Sequence, residues 1–296
     1  MKLLLFFLGG ILSLTLCFPI FALDWIKLHE EAEQISLQEA KTKVSSHPDS
    51  IENLYLLGLV YLNLHQDEEA EETFRKILDI DISSIPAQWG VAEALRRRYD
   101  CEVCERLLNE IIKASPQFWP AYNSLAYLKF LQGEFDETAK LAYKVIKQDK
   151  NEVDLSNYVR AHGLFAGSKG MIAHYGGPVS KIVNGRLILP YLKKAQSLKP
   201  DSAIVYFGMG TYYLLVPEAF GRDLDRAEKN LKKAIEADPY FVDAYVRLAQ
   251  VYKTKGDEER YSELMEEASS IDAKNPLVSD IKTRKCKFIC PGKPDK

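Results

Sequence analysis

A chain of 296 residues with 47% hydrophobic and 27% charged residues has the make-up of a folded, water-soluble protein, which excludes wholly disordered, collagen-like and polytopic membrane chains. Its 39 Lys and Arg stand against 42 Asp and Glu for a net charge of -3. That is far from the basic excess that neutralises several phosphates, so nucleic acid is not expected as a partner, and the overall balance argues against adsorption to anionic lipid.

Residues 1–22 run from Lys2 through an uncharged stretch rich in Leu and Phe to Pro19 and the small Ala22, the pattern of a signal peptide. Cleavage before Leu23 and a periplasmic or secreted protein are the expectation. Cys17 introduces an alternative, a membrane-anchored lipoprotein. Leu16, however, stands where bacterial lipoprotein signals carry Gly, Ala or Ser, so the membrane is expected as a partner only if Cys17 is lipidated. Residues 23–50 follow as an N-terminal helical segment.

From about residue 51 a period emerges. Leu54, Leu57, Gly58 and Tyr61 are followed by Ala70, Phe74 and Ile77; Tyr206, Met209, Gly210 and Tyr213 by Ala227, Leu231 and Ala234; Tyr245, Leu248, Ala249 and Tyr252 by Met265 and Ala268. Apolar steps of 3, 1 and 3 mark one face of a helix, restarted after a short turn, so each unit is a helix pair. Pro48, Pro116, Pro200 and Pro239 fall at unit ends, where a missing N–H stops a helix. This pattern resembles the tetratricopeptide repeat (TPR) family. The resemblance implies an all-α, right-handed solenoid of about six helix pairs over 51–273, with a tail at 274–296.

The repeat breaks at about 166–187, in a stretch with six glycines between Gly163 and Gly185. A loop or an extended second helix beginning at Pro178 would accommodate it. Helical spacing of Val179, Ile182, Val183, Arg186 and Leu187 favours the helix. Downstream, Tyr212, Tyr213, Pro217, Gly221, Asp223 and Ala227 are similar to the exported T-component proteins associated with TRAP transporters. That resemblance implies a periplasmic accessory protein that docks a solute-binding protein and holds a small apolar ligand.

Catalytic motifs are absent, the five histidines show no ligand spacing, and neither enzyme activity nor a cofactor or metal is expected. Cys101 and Cys104 have a redox or metal spacing at a helix start, where the helix dipole favours thiolate; they and Cys286 with Cys290 are candidates for disulfides outside the cytoplasm. By the geometry of the TPR family, the concave face takes Tyr55, Trp89, Glu93, Arg96, Arg97, Asn123, Tyr127 and Phe130. Trp, Tyr, Phe and Arg in one groove make a protein-binding surface. The basic-and-Asn carboxylate clamp of some relatives is missing, since Tyr55 and Leu59 occupy its positions. The resulting expectation is a non-enzymatic scaffold that binds a protein partner in the cell envelope.

Overall fold

The structure, a computed structural model, describes residues 23–285 and 287–288. The signal segment, Cys17, Cys286 and Cys290 lie outside the described residues. Two leading helices, α1 (Trp25–Glu31) and α2 (Leu37–Ser46), precede six antiparallel pairs. These are α3 (Ile51–Asn63) with α4 (Asp67–Ile80), α5 (Ile85–Arg97) with α6 (Cys101–Ala114), α7 (Trp119–Gln132) with α8 (Phe135–Ile146), α9 (Leu155–Tyr175) with α10 (Pro178–Leu198), α11 (Ala203–Leu215) with α12 (Leu224–Ala237), and α13 (Val242–Lys255) with α14 (Glu258–Ile271). A last helix, α15 (Pro276–Lys282), caps the end, and no strand occurs among the described residues. This is the all-α repeat solenoid the periodicity predicts.

Local chemistry sets the boundaries. Ser50, Asp154, Asp223 and Asp257 cap their helices by accepting from a backbone N–H three residues on, and prolines occupy the first turns of α5, α7 and α10, where an N–H is not needed. The turn inside a pair reverses through one residue in the left-handed region: His65, Tyr99, Gly133 and Gly256 have φ of 57°, 66°, 88° and 85°. Close packing rests on small residues facing large ones. The Phe74 ring is fully buried between Gly58 and Gly90, where an added Cβ would come within 2.5 Å and 2.4 Å of it.

The first helices of successive pairs pack side by side along the inner face, and the curve is tight enough for distant pairs to meet. His65 pairs with Asp238 at 3.1 Å, and the Tyr99 hydroxyl donates to Asp272 at 2.6 Å, each bond tying the turn of an early pair to the end of a late one. The tail crosses as well: Lys287 Nζ donates to the Leu131 carbonyl at 2.6 Å, and Phe288 stacks on Phe130 with ring centroids 5.8 Å apart. The solenoid is thus closed across its axis rather than open as a groove.

The insertion becomes a long helical hairpin whose first helix packs against the solenoid to its end: Met171 shares an apolar cluster with Val242, Tyr245 and Met265, and Tyr175 stacks on Phe135. α9 and α10 have 21 residues each, against 12–14 in the other paired helices, and a two-residue turn at Gly176 and Gly177 joins them. α10 starts at Pro178, as the spacing predicts. α9 runs through the break at 166 to Tyr175 with its glycines in ordinary contact with their neighbours, a Cβ at Gly163 meeting Ile204 at 3.4 Å and one at Gly167 meeting Phe130 at 3.7 Å. No described helix is long and apolar enough to cross a membrane.

Candidate functional site

The concave-face residues were expected to line an open groove, and the structure corrects this. Tyr55, Glu93 and Asn123 are at most 1% exposed, and Trp89 and Arg96 are buried too. Most polar side chains on this face bond to one another, Asn123 Oδ1 being left without a partner. Trp89 Nε1 donates to Ser124 Oγ at 3.0 Å, and Ser124 donates in turn to Glu93 at 2.7 Å. Arg96 holds Glu93 in a two-point grip at 2.8 and 2.6 Å, while its guanidinium lies 4.7 Å from the centre of the Tyr127 ring. Phe130 is covered by the tail. Burial alone would raise the Glu93 carboxyl, but Arg96, Arg160 and Arg97 together hold it well below the usual carboxylate range.

Helix α1 fills the other side of this face. His29 lies beside Trp89 and Tyr55, with ring centroids 5.2 and 5.9 Å away. Its Nδ1 accepts from Asn157 Nδ2 at 3.2 Å, and its Nε2 is 2.9 Å from the Tyr55 hydroxyl. Burial lowers the His29 pKa, with Asp154 pulling the other way, so the imidazole is neutral. Asn157 also receives Asn123, whose Nδ2 donates to its carbonyl and side-chain oxygens at 2.8 and 3.0 Å.

A cavity of about 160 Å³ stays open where α1, α3, α5, α9 and α11 meet. Of the predicted residues, Trp89, Glu93 and Arg97 line it; Tyr55, Arg96, Asn123, Tyr127 and Phe130 do not. The structure adds Arg160, Asp154 and Asn157 from α9 and its cap, and Glu33 from the loop after α1. Arg97 is anchored, donating to the Leu62 carbonyl at 2.8 Å and facing Asp67 at 3.4 Å. Arg160 is held more loosely: among the described residues its ion pair is with Glu93 at 3.6 Å, and its side chain is 31% exposed. It is therefore the cation best placed to reach a group entering the cavity.

Cys101 and Cys104 are free thiols, contrary to a disulfide between them. Cys104 fills the small-residue slot against α5, and burial pushes its thiol up to about 12. Cys101 is also raised by burial, so desolvation outweighs the helix dipole expected to favour thiolate.

The family model of the N-terminal acetyltransferase A auxiliary subunit matches residues 23–279. No curated protein matches the chain. Among solved structures, a tetratricopeptide repeat protein from Parabacteroides merdae is 14% identical with a TM-score of 0.52, covering 87% of this chain and 96% of its own. The APC/C hetero-tetramer Cut9-Hcn1 is 18% identical with a TM-score of 0.55, over 87% of this chain and 47% of its own. A human IFIT1 dimer is 17% identical with a TM-score of 0.57, over 88% of this chain and 60% of its own. At these identities the likeness is one of fold, and it confirms the TPR-like solenoid.

Proposed function

The chain belongs to the family of the N-terminal acetyltransferase A auxiliary subunit, and from that premise we propose that it is an exported, non-catalytic scaffold that grips a segment of a protein partner in the cell envelope. An auxiliary subunit works beside another chain, which suits a scaffold. The observation that carries the reading is the cavity at the edge of the concave face, where Arg160 keeps its side chain partly free beside Trp89 and Arg97. Its size admits a side chain or two of a docked segment. A carrier of a drug-sized apolar ligand would call for roughly 300 Å³ or more and an apolar lining, so the charged ring speaks for a protein partner over the ligand-holding role that the T-component resemblance implies. A periplasmic solute-binding protein remains the partner which that resemblance implies. Signal-like residues 1–22 support export, with a mature chain starting at Leu23 in the intact mass; a lipid-modified Cys17 at the N-terminus would replace this with the lipoprotein form.

The partner reading is tested by capture from envelope extract with the wild type and Arg160→Met. Arg160 supplies no cap, and Arg96 and Arg97 still hold Glu93 without it, so the variant should keep its helical signal and stay folded with a modest loss of stability while recovery of the partner falls about tenfold or more, as for an interface Arg anchor. Arg96→Met is the contrasting variant. It strips the buried Glu93 of its two-point partner and should destabilise the fold by about 3–5 kcal/mol. Undiminished recovery by a folded Arg160→Met would sink the proposed site.

A further inference from the structure

The outer side of the α9–α10 hairpin, along α10, carries chemistry unlike the rest of the surface. Between Leu155 and Pro200 there is no Asp or Glu and there are seven Lys and Arg, in a chain whose acids outnumber its bases. A helix turns by about 100° per residue, which gathers Val179, Ile182, Val183, Arg186, Pro190 and Lys193 on one face of α10. All six are exposed. Val179 and Ile182, in the first turns of α10, are 75% and 70% exposed; Lys181 is exposed in the same turn but lies about 150° round the helix from this face. Asp136 and Glu137 of α8 line a groove that Ser180 closes, about a quarter turn round α10 from this face.

We propose that this face of α10 docks on an anionic lipid bilayer. The apolar first turns would settle among the headgroups, and Arg186 and Lys193 would meet lipid phosphates. Interfacial helices combine these two features, an apolar strip and cations without acids. The net charge of -3 does not oppose it, because charges are screened over about 8 Å at physiological ionic strength, so the cations on this face decide. Side chains exposed along one side of a single helix are a surface that a flat, deformable bilayer receives without a matching groove. This contact is separate from partner capture at the cavity.

Flotation of the exported chain with phosphatidylcholine vesicles, with and without about 30% phosphatidylglycerol, tests the proposal. Partition should favour the anionic vesicles about tenfold or more at low salt and lose that preference as salt rises. The double change Arg186→Glu with Lys193→Glu should abolish the preference. Val179→Ser with Ile182→Ser should weaken anionic binding about tenfold, while melting and partner capture stay unchanged. A retained segment 1–22 would raise binding to both vesicles alike, so the ratio reads the hairpin. Equal binding to the two vesicles, or a preference that survives both double variants, overturns the proposal. Vesicle indifference together with variant-sensitive capture of an acidic protein overturns it too and assigns the face to that protein.

Discussion

His29 shows how one buried side chain links the fold to pH. Burial lowers its pKa and that of His162, so both are neutral in the folded protein. In the unfolded chain an imidazole takes up a proton near pH 6.5; in the fold it does so only at lower pH. Between those values the unfolded state binds more protons, so stability rises with pH and is lost on acidification below about 6.5. The melting temperature should therefore fall between pH 7.5 and 6, above the range in which most carboxyls titrate. A flat profile would mean that the imidazoles are not buried as described. The residues around His29 also mark what the sequence could disclose. Tyr55, Trp89 and Asn123 were legible because they recur in step with the repeat. Asn157 continues that step, 34 residues beyond Asn123, and the same step would have found it. Arg160 and the seat of α1 were hidden, since no periodicity says that a short leading helix folds back onto the inner face, or that the inner polar groups find one another before they find a partner.

At the scale of the element, the tightest constraint is the Phe74 ring between two glycines. Each helix crossing there depends on a missing Cβ, so Gly90→Ala forces a shift of the ring or of α5 and should cost about 1–3 kcal/mol, as overpacking does. In the background of Phe74→Leu the same change should cost less, because the smaller side chain yields space; a coupling of about 1 kcal/mol in denaturant melts checks it. Additive costs would mean that Gly90 is needed for some other reason. The pairs themselves were readable because their apolar steps and small residues follow from helix geometry. The hairpin was half readable. Its glycines look like breaks in composition, yet within α9 they sit in one unbroken helix packed by its partner helices, and composition alone does not show that packing carries the helix through them.

The whole molecule departs from the usual logic of a repeat array, in which each unit feels only its neighbours and stability is a sum of local terms. Here the contacts His65–Asp238 and Tyr99–Asp272 link the first two pairs to the last two. Burial acts to raise the Asp238 pKa, but His65 wins and holds it lowered, so this tie favours the charged carboxylate. His65 and Tyr99 also sit in the left-handed region, a conformation costing a non-glycine residue about 1 kcal/mol; their cross-axis bonds offset part of that cost. If closure matters, damage at one end should be felt at the other. Met265→Ala leaves a void in the last pair, where Met265 is 8% exposed, and should destabilise that pair by about 2 kcal/mol or more. Hydrogen exchange would then speed up in α3 and α4 as well as in α13 and α14. Adding Tyr99→Phe and His65→Gln should uncouple the ends, so that the same core defect accelerates exchange only in α13 and α14. Confinement to the last pairs already in the single variant would show that the cross-axis bonds carry no coupling and that the solenoid behaves as an open chain of neighbours.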